Sequence, residues 1–216
     1  MTAPLDARER AQLCARFDEL GPDAPTLCEG WTTFDLAAHL VVRERNPVAA
    51  PGILLGDKMA ALGRLTDEAM EREKARGYDR VVERVRTGPP IGPFAVPGLR
   101  TLINLIEYAV HHEDVRRAND LPARTDIDDL QDALWPLFLR LARIALRGVP
   151  AGVRVELARP GGAATVVRRG DRVVRATGEP LELLLWAYGR GDHAAVAFEG
   201  VSDADIAGVR AAHLTI

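Results

Sequence analysis

Hydrophobic residues change their rhythm once along this chain. As far as Arg147 they recur at three- and four-residue intervals among charged residues, the spacing that lines one face of an α-helix. Beyond Gly148-Val-Pro-Ala-Gly152 they gather in short β-branched runs instead. The first regime predicts a helix over 5–20, with Leu5, Leu13 and Phe17 among many charges and Gly21 just past its end. Thr32 and Asp35 then have the spacing of a capping box, so a second helix is expected from Thr33 until Asn46-Pro47 stops it. From about Ile53 to Arg86 the residues favour helix with a break near Gly77, and Thr87 to Gly98, full of Pro and Gly, reads as a long irregular connection.

A strongly amphipathic helix comes next, carried by Leu99, Leu102, Ile103, Ile106 and Val110 and ending near Asn119, and another runs from about Asp128 to Arg147, bent at Pro136. In the second regime Val153–Leu157, Ala164–Val167, Val173–Ala176 and Val196–Phe198 read as strands, with a tight turn at Arg169-Gly-Asp171. Pro180 to Tyr188 and Asp203 to Ala211 return to helix. The fold class is thus mainly α with a small α+β part: a helical bundle over 1–148, then a small C-terminal α+β domain over 149–216.

Composition narrows the function. Lys and Arg number 28 against 31 Asp and Glu, a net charge of -3, which leaves no basic face for a run of phosphates and sets nucleic acid aside as a partner. The start carries no apolar signal region and no stretch is long enough to span a bilayer, so a cytoplasmic protein without a membrane partner is expected. Cys14 and Cys28 lack the close pairing of a metal or redox motif and read as small, partly buried apolar residues.

The candidate chemistry lies on two helices. His39 sits mid-helix, and Glu107 and His111, four residues apart, project from one face of a later helix one turn apart. With Asp114, Glu107 and His111 edge the apolar stripe, roughly a quarter turn from it, where a lone carboxylate is costly and a divalent cation compensates it. Two neutral imidazoles and one carboxylate suit zinc, and with open positions also iron, nickel or manganese. The alternative for His39 is an interior histidine satisfied by Asp35 one turn earlier, which could equally orient a ligand from behind. His112, about 100° round the helix from His111, is expected to face solvent.

Gly30-Trp-Thr-Thr-Phe-Asp-Leu-Ala-Ala-His-Leu40, with Ile106-Glu-Tyr-Ala-Val-His-His-Glu-Asp-Val-Arg116 much later, resembles the metal-binding domain of mycothiol-dependent maleylpyruvate isomerase and its DinB-like relatives. Glu179-Pro-Leu-Glu-Leu-Leu-Leu-Trp-Ala-Tyr-Gly-Arg190 is similar to that family's smaller C-terminal domain. The resemblance implies an N-terminal DinB-like four-helix bundle holding a divalent metal, usually zinc, through His39, Glu107 and His111, with mycothiol as the cosubstrate and an actinobacterial origin. It further implies a small-molecule electrophile and a low-molecular-weight thiol as partners, in an isomerase or S-transferase reaction.

Arg190 is a candidate anchor for a substrate carboxylate, the alternative being an arginine solvated at a helix end. Trp31 is expected to staple the helix entry and Tyr108 to border the bundle. Three classes stay open: a metal-dependent enzyme of thiol chemistry, a metal-binding protein without catalysis, and a C-terminal module for a small apolar or acidic ligand, acting as a monomer or homodimer.

Overall fold

The computed structural model describes residues 3–45, 60–89 and 99–212. The expected stop at Asn46-Pro47 and the expectations for 53–59 and 90–98 lie outside them. Two compact units divide the chain, residues 1–123 and 124–215.

The first unit is helical: α1 (Leu5–Leu20), α2 (Thr33–Arg45), α3 (Ala60–Lys74), α4 (Tyr78–Thr87) and α5 (Leu99–Ala118). Helix α1 packs on α4 and α5, and α2 packs on α3 and α4. The core between them is drawn from Leu13 and Phe17, Leu36, Leu40 and Val41, Met70, Val81 and Val85, and Tyr108 and Val115. Within α1, α2, α4 and α5 these residues recur at the helical spacing of their own element. The break between α3 and α4 falls at Gly77, whose φ of 86° is one that a side chain resists.

Helix α2 starts where the capping residues place it. Asp35 Oδ2 accepts from the Thr32 backbone N–H at 2.9 Å and from its hydroxyl at 2.8 Å, while Oδ1 pairs with Lys74 Nζ of α3 at 2.7 Å. Burial alone would raise this carboxyl, but the bonds from Lys74 and Thr32 hold it below its usual range. Asp35→Ala should therefore cost about 1–2 kcal/mol of stability at neutral pH, most of it the lost cap. Because the folded value lies below the unfolded one, about 4, the contribution is complete above that pH and fades as pH falls through the folded value. Urea unfolding of the wild type and the variant should show midpoints that converge on acidification.

The second unit begins with α6 (Asp128–Ala145), which runs through Pro136 without interruption and passes into a 3₁₀ turn over Leu146–Gly148. Strands β1 (Val153–Ala158), β2 (Thr165–Arg168) and β3 (Arg172–Thr177) come next, then α7 (Pro180–Ala187), β4 (Ala197–Gly200) and α8 (Asp203–Arg210). The domain boundary expected at 148/149 falls inside this unit, because α6 is tied to elements C-terminal to that point: Gln131 Oε1 accepts from the Leu181 N–H at 2.9 Å and Asp132 pairs with Arg159.

The sheet order is β2-β1-β3-β4, with β1 antiparallel to β2 and parallel to β3, and β3 antiparallel to β4. The turn at Arg169-Gly-Asp171 thus does not close a hairpin. The more apolar β1, with Val153, Val155 and Leu157 wholly buried, takes the centre, and the connection crosses over its start. A Cβ at Gly170 would lie 2.4 Å from the Gly152 carbonyl oxygen, so only glycine fits this crossing. Among the described residues no helix is long and apolar enough to cross a membrane.

Candidate metal centre

Helix α2 carries His39 into the interior of the first unit. Trp31, from the loop before α2, lays its ring 5.0 Å from the imidazole, and the His111 ring of α5 lies 5.5 Å away on a steep angle. Nδ1 of His39 is buried with no hydrogen-bond partner among the described residues. Buried nitrogens are normally paired, so an unpaired lone pair or N–H at this point marks a ring placed for something else. Burial, the His111 charge and Arg43 push His39 down to about 3 against the pull of Glu107, which keeps it neutral. A neutral imidazole is the form that binds a metal.

Glu107 and His111, one turn apart on α5, meet it from the other side. His111 Nε2 lies 3.5 Å from Glu107 Oε2, and one donor atom from each of His39, Glu107 and His111 falls within 4.8 Å of the others. That grouping is close enough for small side-chain adjustments to bring all three onto one cation. Burial disfavours the Glu107 charge, but Arg43, whose Nε lies 3.2 Å from Oε2, and the two histidines hold it ionised at about 2. Burial likewise opposes a charged His111, yet its bonds to Asp114, Cys28 and Glu107 raise it well above the usual histidine value.

Asp114 sets which nitrogen of His111 is offered. Its Oδ2 lies 2.9 Å from His111 Nδ1, and since a carboxylate only accepts, Nδ1 keeps its proton there and Nε2, which faces Glu107, is the nitrogen that would give up its proton to a cation. A carboxylate behind a ligating histidine fixes tautomer and ring orientation in just this way. All three ligand candidates are nearly buried: the side chain of Glu107 is 14% exposed and that of His111 11%. The donor set, the neutral His39 and the carboxylate behind His111 fit a divalent cation.

Several neighbours differ from their expected roles. Asp35 does not reach His39, since its oxygens serve Thr32 and Lys74. His112 is buried, not solvent-facing, with Nδ1 3.2 Å from Glu9 Oε2, because α1 covers that side of α5. Tyr108 is wholly buried rather than bordering the unit; its hydroxyl donates to Glu44 at 2.9 Å. Cys28 lies half-buried beside Asp114 and His111. Arg43, one turn beyond His39 on α2, was findable from that spacing, whereas the approach of Cys28 to α5 leaves no local signal.

Arg190 belongs to the second unit, just past α7, where its guanidinium donates to the Tyr188 carbonyl. That unit also holds a cavity of about 350 Å³ lined by Trp186, Val196 and Phe198 and by the charged Asp192 and Arg210.

Residues 5–96 match the family described as the mycothiol maleylpyruvate isomerase N-terminal domain, which supports the resemblance read from the sequence. The match takes in Cys28, Trp31 and His39 and ends before Glu107 and His111. No curated protein and no solved structure matches the chain.

Proposed function

We propose that His39, Glu107 and His111 hold one divalent cation, zinc before nickel or iron, and that the protein is a metal-dependent S-transferase or isomerase using a low-molecular-weight thiol such as mycothiol. The observation that carries this reading is the convergence of an unpaired neutral imidazole with a carboxylate and a second imidazole in a nearly dry site. The family match over residues 5–96 points to mycothiol as the thiol. In this reading the helical unit is the DinB-like four-helix bundle, and the protein works in the cytoplasm.

When bound, a dication with an open position lowers the pKa of a thiol that joins it, which makes a nucleophile at neutral pH. The chain's own residues do the rest. Asp114 holds the His111 ring in register, Trp31 walls one side of His39 and limits water there, and Arg43 keeps Glu107 ionised. In the second unit, Arg190 is the proposed anchor for a carboxylate, its planar fork suited to bidentate binding. The cavity bordered by Arg210 supports a second reading, a module for a small acidic ligand in the C-terminal unit.

Calorimetry separates the two. Zinc-loaded protein should bind mycothiol, or N-acetylcysteine as a simpler thiol, and the triple alanine variant at 39, 107 and 111 should give no heat. Equal heats from both proteins would end the thiol reading.

A further inference from the structure

A second group of donor atoms converges on the far side of the His111 ring. Cys28 Sγ lies 3.3 Å from Asp114 Oδ2 and 4.0 Å from His111 Nδ1, and those two atoms are 2.9 Å apart. In a tetrahedral site with metal–sulfur bonds near 2.3 Å and metal–nitrogen or –oxygen bonds near 2.0–2.2 Å, neighbouring ligands stand roughly 3.3–3.6 Å apart. The three observed separations bracket that value. Sulfur, nitrogen and oxygen are thus already grouped as one small cation would require.

The loop bearing Cys28 is tied to α5 and the residue after it by two hydrogen bonds, which hold its backbone beside Asp114. The Leu27 N–H donates to the Asp114 carbonyl at 3.1 Å, and Asn119 Nδ2 donates to the Pro25 carbonyl at 3.0 Å. Within the loop, the Thr26 hydroxyl donates to the Trp31 carbonyl at 2.9 Å and accepts from the Cys28 N–H at 3.2 Å. Asp114 is wholly buried, while Cys28 is half-buried and leaves the group an approach from solvent.

We propose that Cys28, His111 and Asp114 form a second cation site, selective for thiophilic divalent ions such as Cd²⁺ or Zn²⁺, which shares the His111 ring with the first. The charges balance: a thiolate and a carboxylate face a dication, with neutral imidazole as the third ligand. Two protons leave to solvent on binding, one from Sγ and one from Nδ1 of the His111 ring, which carries a proton on each nitrogen between the Asp114 and Glu107 carboxylates. A neutral imidazole has one free lone pair, so a cation on Nδ1 leaves the proton on Nε2 and withdraws His111 from His39 and Glu107. The two sites therefore compete. The second needs neither His39 nor Glu107 and stands apart from the proposed thiol chemistry.

The test is a titration of the full chain with Cd²⁺, read by the near-ultraviolet thiolate-to-cadmium charge-transfer band. One equivalent should produce the band in the wild type and in His39→Ala, and Cys28→Ser should abolish it. Cys14 cannot supply the sulfur, being wholly buried with its thiol pushed up to about 12. In the unaltered protein Cd²⁺ should also protect Cys28 from iodoacetamide, as mapped by peptide mass, which guards against a variant that fails to fold. The absence of the band in the wild type overturns the site, as does a band that survives Cys28→Ser or vanishes in His39→Ala, or alkylation of Cys28 unaffected by Cd²⁺.

Discussion

Alanine at His39, Glu107 and His111 together should strip the protein of divalent metal, from near one equivalent per chain to background, when both forms are purified without a histidine tag and measured by elemental analysis. The effect is expected to be large because each side chain supplies one donor of three, and their ligand atoms already lie within 4.8 Å of one another. Asp114→Asn provides the graded companion. Asp114 orients His111 and does not belong to this donor set, so its loss should weaken zinc by about 10–100-fold, the usual cost of removing an outer partner of a ligating histidine. The two variants together distinguish a metal centre from a polar cluster. A cluster that holds no metal would give equal, background metal content in every form, and equal content in the wild type and the triple variant would refute the ligand assignment.

The contrast between His39 and Cys28 explains what the sequence could and could not yield. His39, Glu107 and His111 declare themselves because a helix has a fixed period: an offset of four residues puts two groups on one face, whatever surrounds them. The same period says nothing about which neighbour covers a face. His112 points about 100° from His111 as expected, but α1 lies there with Glu9, and solvent does not. Cys28 reaches Asp114 across 86 residues of chain, a distance over which no periodicity carries information. The sheet behaves alike. Each strand was legible from its β-branched run, but the order β2-β1-β3-β4 depends on which strand is buried on both faces, which is a property of the assembled unit. The domain boundary shows the same limit, since the change at Gly148 marks a change in element type while α6 takes its partners from the strands and helix C-terminal to it.

The largest stability effect should come from Glu44, at the end of α2, which no pattern singled out. Its carboxylate accepts from both terminal nitrogens of Arg10 at 2.8 and 2.5 Å, from Asn104 Nδ2 at 3.3 Å and from the Tyr108 hydroxyl at 2.9 Å. Arg10 in turn donates to the Val85 carbonyl at 2.7 Å and lies 4.5 Å from the centre of the Tyr108 ring. Both charges are buried, and the network joins α1, α2, α4 and α5 behind the site. Glu44→Ala removes one partner of a buried pair and leaves the Arg10 charge desolvated without its carboxylate, at a cost of about 3–5 kcal/mol. Against the roughly 5–15 kcal/mol typical of a whole domain, that is enough to unfold a large share of the molecules on mild heating. Arg10→Met should cost a similar amount, since it strands Glu44 instead. Combining Arg10→Met with Glu44→Leu should cost clearly less than the two losses added, because neither charge is then left alone; what remains is mainly the unsatisfied Tyr108 hydroxyl and Asn104 amide, about 1–3 kcal/mol each. Urea unfolding of the four proteins gives the coupling directly. Strictly additive losses would mean that Arg10 and Glu44 act independently, and the four helices would then owe their arrangement to apolar packing alone.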